Sequence, residues 1–290
     1  IKEKENGFKN FFLSNLIGYI DKEYLNTDSN YIYPYEEKPY ERSLNYHFKK
    51  NNCNRLYAYY GNPQDHQALF LRKFTRYNIP RSKNYLFAGK EQLTQLNSYF
   101  RFKDSNKLNI IGSDKSIKQY SKNIKYDFLV LIAHENELET FVSWISSQES
   151  DFQNFNFLIR YYNAIDNRNL VKKIKTIKKN LNFSFSENNL NKDIENSAFS
   201  IFSRTSAGVQ CINAGMLSIW SDLSLVGANP LFNKIENFFP SFSSKELAMN
   251  LKKIKLLTKD QINNQLTIQR QVTKNIYSKI DYEMIDRILQ

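Results

Sequence analysis

Cysteine is almost missing from this 290-residue chain: Cys53 and Cys211 are too few for a disulfide framework or a zinc site. The three histidines, His47, His66 and His134, lie too far apart for a local metal motif. No Asp-x-Asp pair stands near a strand end to hold Mg²⁺ or Mn²⁺. Nor is there a glycine-rich Walker loop, in a chain with only 8 glycines and 6 prolines. No apolar run approaches the roughly 18 residues of a membrane-spanning helix. The first residues (IKEKENGFKN) are charged and do not read as a signal peptide. They begin at Ile1 without a methionine, so a further N-terminal portion is expected in the natural protein. The expected location is the cytoplasm, extending to the inner face of the membrane.

What the chain has in quantity is aromatic surface. Tyr (19) and Phe (22) dominate, and with 41% hydrophobic residues a chain of this length can build one large core or two ordinary ones. The formal net charge is +12, which opens nucleic acid, an anionic membrane or an anionic substrate as partner classes. The basic residues are scattered, however, and are mostly lysine. Their densest run, Lys172 to Lys179, reads as the solvated face of a helix whose Val171, Ile174 and Ile177 point inward. Charge alone therefore names no partner.

The second half shows strand–helix alternation. Phe128 to Ala133 (FLVLIA) and Phe155 to Arg160 (FNFLIR) read as buried parallel strands, and Ala198 to Phe202 and Met216 to Trp220 as two more. Helices are expected over Leu138 to Ser146, from about Asn169, over Asn188 to Asn196, and over Ala207 to Ala214. The last is stopped by Gly215 in a left-handed conformation. This spacing predicts a doubly wound α/β domain. A further helix is expected over Ser243 to Leu257, followed by a long one from Lys259 to the end. In the first half, Tyr31 to Tyr35, Leu56 to Tyr60, Tyr85 to Ala88 and Asn109 to Ile111 read as strands, and Pro39 to Lys50 as a helix. Lys122 to Asp127 is the candidate linker.

The turn Ser203-Arg204-Thr205-Ser206-Ala207-Gly208 is the strongest local chemical signal. It sets hydroxyls and backbone N–H groups at a helix N-terminus beyond the carboxyl end of a strand, where a phosphate is favoured. Three hydroxyls, Arg204 and Gly208 exceed what an ordinary N-cap requires. His134 and Glu135, at the end of another buried strand, are candidates to orient a sugar or ribose, against the plainer reading of an exposed helix start.

SRTSAGVQCINAGMLSIWSD resembles the donor-binding strand–loop–helix of GT-B glycosyltransferases, in which a Ser/Thr pair and a small residue start a helix ending in Gly. Leu158-Ile159-Arg160 lies where that family carries a basic strand end, with Tyr161-Tyr162 in place of the usual His-Pro; Asn229-Pro230-Leu231 resembles the loop after the last donor-domain strand. YPYEEKPYERSLNYHFKK, LYAYYGN, LFAGKEQL and IIGS resemble the acceptor domain of transferases of capsular and lipopolysaccharide sugars. Enzymes similar to Kdo and sialic acid transferases, many of them using CMP-sugars, are among these.

The resemblance implies an α/β fold of two Rossmann-like domains with a cleft between them. The expected division is an acceptor-side domain over residues 1–126, a donor domain over 127–258, and a C-terminal helical segment, 259–290, crossing back to the first. It implies sugar transfer from a CMP-, UDP- or GDP-linked donor to a glycan or lipid-linked acceptor in surface polysaccharide synthesis, with no metal or other cofactor and no nucleic acid. The site residues are Arg160, Ser203, Arg204, Thr205, Ser206, Ala207, Gly208 and Gln210 around the donor phosphate. Glu36, Glu37, Glu41 and His66 are the candidate bases that take the acceptor's proton. A nucleotide-sugar epimerase and a non-catalytic basic nucleic-acid-binding or assembly protein are the alternatives.

Overall fold

Phe183, Phe157, Phe128 and Phe199 occupy one row across four neighbouring strands, and that row organises the larger half of the molecule. A computed structural model describes residues 29–35, 39–52, 55–62, 82–99, 107–116, 120–161, 181–231 and 234–290. Glu36, Glu37, Cys53, His66, Tyr162 and the basic run 172–179 lie outside these. The described chain divides into two compact units, 1–114 with 276–290, and 115–275.

In the first unit β1 (Tyr31–Pro34), β2 (Leu56–Tyr60), β3 (Asn84–Phe87) and β4 (Lys107–Ile110) form a parallel sheet in that order. Helices α1 (Pro39–Lys50) and α2 (Lys90–Tyr99) accompany it. Its core is rich in tyrosine: the Tyr35 ring meets Tyr60 and Tyr85 edge-on at 5.9 and 5.6 Å. The buried phenol of Tyr60 donates to Gln95 Oε1 at 2.8 Å, and that of Tyr33 accepts from Asn45 Nδ2 at 2.9 Å, as buried hydroxyls require.

In the second unit the parallel sheet has the order β7-β6-β5-β8-β9, built from β5 (Tyr126–Ile132), β6 (Asn156–Tyr161), β7 (Asn182–Phe185), β8 (Ser197–Phe202) and β9 (Ser218–Trp220). Its helices are α3 (Glu135–Ser147), α4 (Glu149–Phe152), α5 (Leu190–Asn196), α6 (Ala207–Asn213), α7 (Ser244–Lys255) and α8 (Lys259–Thr273). Phe128 to Ile132 are buried throughout, as expected of a central strand covered on both faces. The inward stripes of α3 (Leu138, Phe141, Val142, Ile145) and α7 (Leu247, Ala248, Leu251, Ile254) join the same core as the phenylalanine row.

Two expectations are corrected. Lys122 to Asp127 is not a linker. Lys122 Nζ donates to Ile194 O at 2.8 Å, the Asn123 and Lys125 amides donate to Glu195 O and Asn196 O, and Asp127 lies within β5. The expected single helix from Lys259 is two, because α8 ends at Thr273 and α9 (Tyr282–Leu289) belongs to the first unit. There residues 278–281 are tied to the carboxyl ends of β3 and β4: Ser278 N–H donates to Ala88 O, Asp281 N–H to Ile111 O, and Ser113 N–H to Ser278 O. Gly112, at φ +80, sits against the Lys279 carbonyl, a place with no room for a Cβ. Among the described residues no helix is long and apolar enough to cross a membrane.

The edge strand β9 is closed at Trp220 by backbone bonds to Phe238 O and from Ser241 N–H, and at Ser218 by a side chain. Gln269 of α8, fully buried, accepts from Ser218 N–H at 3.0 Å and donates to Ser218 O at 2.7 Å, doing for β9 what another strand would do. Gln269→Leu orphans both Ser218 groups, each worth about 1–3 kcal/mol, and urea denaturation is expected to show a loss in that range or above. Phe157, which touches Phe128, Phe141, Phe152, Phe155 and Phe183, is the centre of the aromatic cluster. Phe157→Ala is expected to cost about 3–5 kcal/mol by the same measurement.

Candidate functional site

From β5 the second unit's chain runs outward through β6 to β7, then returns to the other side of β5 for β8 and β9. Connections therefore leave β5 and β8 in opposite directions, which opens a crevice at their carboxyl ends. A cavity of about 240 Å³ lies there. Leu131, Ile132 and Ala133 line it from the end of β5, Arg160 and Tyr161 from the end of β6, and Thr205 and Ala207 from the turn after β8.

Thr205 and Ala207 of the expected phosphate turn reach the cavity, but the turn uses some of its own donors. The Ala207 N–H donates to Thr205 Oγ1 and the Gly208 N–H to Thr205 O, both at 3.2 Å. Ser206 stands at the N-cap position, half-buried, and its side chain makes no capping bond. Arg204 and Gln210 are likewise half-buried. Ser203 is fully buried and does not line the cavity. Gly208 serves packing rather than ligand approach, since a Cβ there would overlap the Phe202 ring, itself wholly buried. The glycine lets α6 lie directly on the end of β8.

The far end of α6 is finished as the sequence indicates. Gly215 has φ +89, its N–H donates to Ile212 O, and the Met216 N–H donates to Cys211 O, which together make a Schellman motif. The Arg270 guanidinium adds two bonds at this end, Nε to the already bonded Ile212 O and one terminal nitrogen to Asn213 O, both at 3.2 Å. A cation there also complements the helix dipole. Cys211 is sealed inside, where burial pushes its thiol up to about 12, so it is a core side chain and not a nucleophile.

Arg160 is held from one side. Its Nη1 donates to Asn188 O at 2.7 Å and to Asp193 Oδ2 at 2.9 Å, and Ser186 Oγ donates to the same Oδ2 at 2.6 Å. Asp193 is fully buried, while the Arg160 side chain is 28% exposed. Nε and Nη2 have no hydrogen-bond partner among the described residues, which leaves three N–H donors of a planar fork beside the cavity. Asp193, Ser186 and Asn188 were not visible as site residues in the sequence. They lie 26 to 33 positions from Arg160, and nothing in their spacing marks the pairing.

His134 and Glu135 are exposed and do not line the cavity. The acidic residue that matters at this strand end is Glu137. It is fully buried, and its Oε2 accepts from the Ala133 N–H at 2.7 Å and the His134 N–H at 3.2 Å, fixing the β5–α3 turn. In the first unit, Glu41 is only 1% exposed on the inward stripe of α1 with Asn45 and Phe48, so it presents no carboxylate to an acceptor. Tyr60 is core, and the Tyr59 hydroxyl donates to Gly112 O at 3.0 Å, with burial raising its phenol above the ordinary value. Glu36, Glu37 and His66 lie outside the described residues. Among the described residues no group of three or more His, Cys, Asp and Glu side chains is placed to hold a metal ion.

No family model matches the sequence, and no curated protein matches it. Solved structures do match. A UDP co-structure of MnaA from S. aureus aligns with a TM-score of 0.58 at 9% identity, over 94% of this chain and 75% of that one. A Listeria monocytogenes protein assigned as a UDP-N-acetylglucosamine 2-epimerase gives 0.56 at 11%, over 93% and 74%. A glycosyltransferase from Rickettsia africae ESF-5 gives 0.55 at 13%, over 98% and 82%. Against the GtfA/B complex the TM-score is 0.53 at 11% identity; 96% of this chain is covered, but it spans only 59% of the longer chain. The two parallel sheets with their helices are therefore an α/β fold of the GT-B type.

Proposed function

We propose that this chain is a glycosyltransferase that moves a sugar from a nucleotide-sugar donor to a glycan or lipid-linked acceptor without a bound metal. The observation that carries the reading is the cavity at the β5/β8 crevice, lined by Arg160, of whose guanidinium only Nη1 is committed among the described residues. At about 240 Å³ it is small for a whole nucleotide sugar and suited to its phosphates. As the bond from sugar to phosphate breaks, negative charge grows on the departing phosphate. The Arg160 guanidinium and the hydroxyl of Thr205, which line the cavity, with Ser206 beside them at the N-cap position, are the groups that would stabilise it. The UDP held by the structurally similar MnaA supports a uridine diphosphate donor, with CMP- and GDP-linked donors as the alternatives. Surface polysaccharide remains the proposed destination, and work at the inner face of the membrane fits a lipid-linked acceptor. Glu36, Glu37 and His66 are the bases proposed for the acceptor hydroxyl.

A second reading, a nucleotide-sugar epimerase, is favoured by the similarity to the Listeria protein. It uses the same phosphate cradle, and the two separate on one count: an epimerase consumes donor with no acceptor present.

A thermal-shift panel of CMP, CDP, UDP, GDP and ADP, each with and without Mg²⁺, tests the proposal. The expected result is selective stabilisation by UDP that is independent of Mg²⁺, about 5–10 °C at a hundredfold excess over the dissociation constant. No shift with any nucleotide on folded protein sinks the enzymatic readings. Arg160→Ala is expected to weaken nucleotide binding about 10–100-fold and Ser206→Ala about 3–10-fold by calorimetry, each measured below its own melting temperature, which falls in Arg160→Ala because buried Asp193 loses its partner and is unchanged in Ser206→Ala. Unchanged affinity in both removes the phosphate site.

A further inference from the structure

Asp193 is an expensive residue to keep. It sits fully buried on α5, and of its two oxygens only Oδ2 accepts hydrogen bonds from described groups, Arg160 Nη1 at 2.9 Å and Ser186 Oγ at 2.6 Å. A buried carboxylate satisfied on one side is a poor source of stability, because desolvation offsets most of the attraction. It also opposes anion binding, since it places a negative charge beside the arginine that lines the cavity. A site tuned only for positive potential would omit it.

Geometry supplies the reason for its presence. An unrestrained arginine carries about 2 kcal/mol of rotamer entropy and can point anywhere over the strand ends. Here the two Nη1 protons are both engaged, one by Asn188 O and one by Asp193. Asp193 is itself fixed by Ser186, and α5 begins with Asn189, whose side chain caps the Lys192 N–H at 3.0 Å. The guanidinium plane is thereby set, and its Nε–Nη2 edge is left as a preorganised fork for two oxygens of one phosphate.

We infer that Asp193 is a positioning residue of the phosphate site, holding Arg160 by one nitrogen so that its other edge is aimed at the ligand. The inference rests on the proposal that the cavity takes a nucleotide phosphate.

Charge and orientation predict opposite signs, which makes the inference testable. Asp193→Ala makes the site one unit more positive and removes the acceptor that holds Nη1. If potential alone governs, UDP binds more tightly; if orientation governs, it binds more weakly. UDP is titrated calorimetrically into the wild-type protein and into Asp193→Ala, Arg160→Lys and Arg160→Ala, with the melting temperature of each as the fold control. The expected result is a loss on the order of tenfold in Asp193→Ala and in Arg160→Lys, approaching the larger loss of Arg160→Ala. Lysine keeps the charge but has no fork, and its ammonium is drawn to Asp193. Should Asp193→Ala fail to fold, Arg160→Lys decides: affinity equal to wild type overturns the inference. Weakened binding in Arg160→Ala with unchanged or tighter binding in Asp193→Ala overturns it while the phosphate site stands. Wild-type affinity in Arg160→Ala removes the phosphate site and the inference together.

Discussion

Strand register in the second unit is the constraint on which the candidate site depends, and the row Phe183–Phe157–Phe128–Phe199 fixes it. Adjacent rings lie 5.5 to 6.0 Å apart, each pair contributing about 0.5–1.5 kcal/mol beyond its buried area. Three residues further along, the same register sets Leu131 opposite Arg160 on one side and Phe202 on the other. A slip of one residue would turn every side chain of β6 to the other face of the sheet and take Arg160 away from α5 and Asp193. An aromatic ladder about 10 Å from the cavity thus determines whether a guanidinium stands in it.

The carboxyl end of the sheet is then finished by segments far off in sequence. Helix α8 contributes Gln269, which closes β9 at Ser218, and one residue later Arg270, which takes the last carbonyls of α6. Thr273 adds a bond to Asn213 Oδ1 at 2.9 Å. A single helix therefore ties the edge strand and the helix beside the cavity into one rigid piece. The turn carrying Thr205 and Ala207 is held from both ends, by Phe202 packed under Gly208 and by Arg270 at the opposite terminus.

Much of this was legible in the sequence because it is local. FLVLIA announces a strand buried on both faces, and Gly215 directly after the helix expected over Ala207 to Ala214 announces the left-handed stop. The Ser/Thr-rich turn after SIF marks the strand end where ligands of open parallel sheets sit. What escaped is non-local. Gly208 looks like a glycine that admits a phosphate until Phe202 is found beneath it, and Ser203 looks like a ligand until its burial is known. Lys122 to Asp127 is polar enough to pass for a linker, and only its bonds to Ile194, Glu195 and Asn196 reveal it as part of the sheet's margin. The same limit hides Asp193, one of two acids in a short polar helix, whose partner lies 33 residues away.

The scarcity of glycine bears on how the proposed phosphate site would work. A nest of consecutive backbone N–H groups needs glycines to bring the chain close to an anion, and the turn here spends its Ala207 and Gly208 amides on itself. The remaining source of affinity is side-chain charge. The excess of lysine in the chain cannot provide it, because scattered surface charges are screened beyond about 8 Å at physiological salt. What persists is a charge partly withdrawn from water and fixed in direction, which is what the buried carboxylate and the α5 terminus give Arg160. Orientation in place of net potential costs some attraction for anions in general. In return, under the proposed role, it would favour a ligand offering two oxygens in one plane over a single-point anion such as chloride.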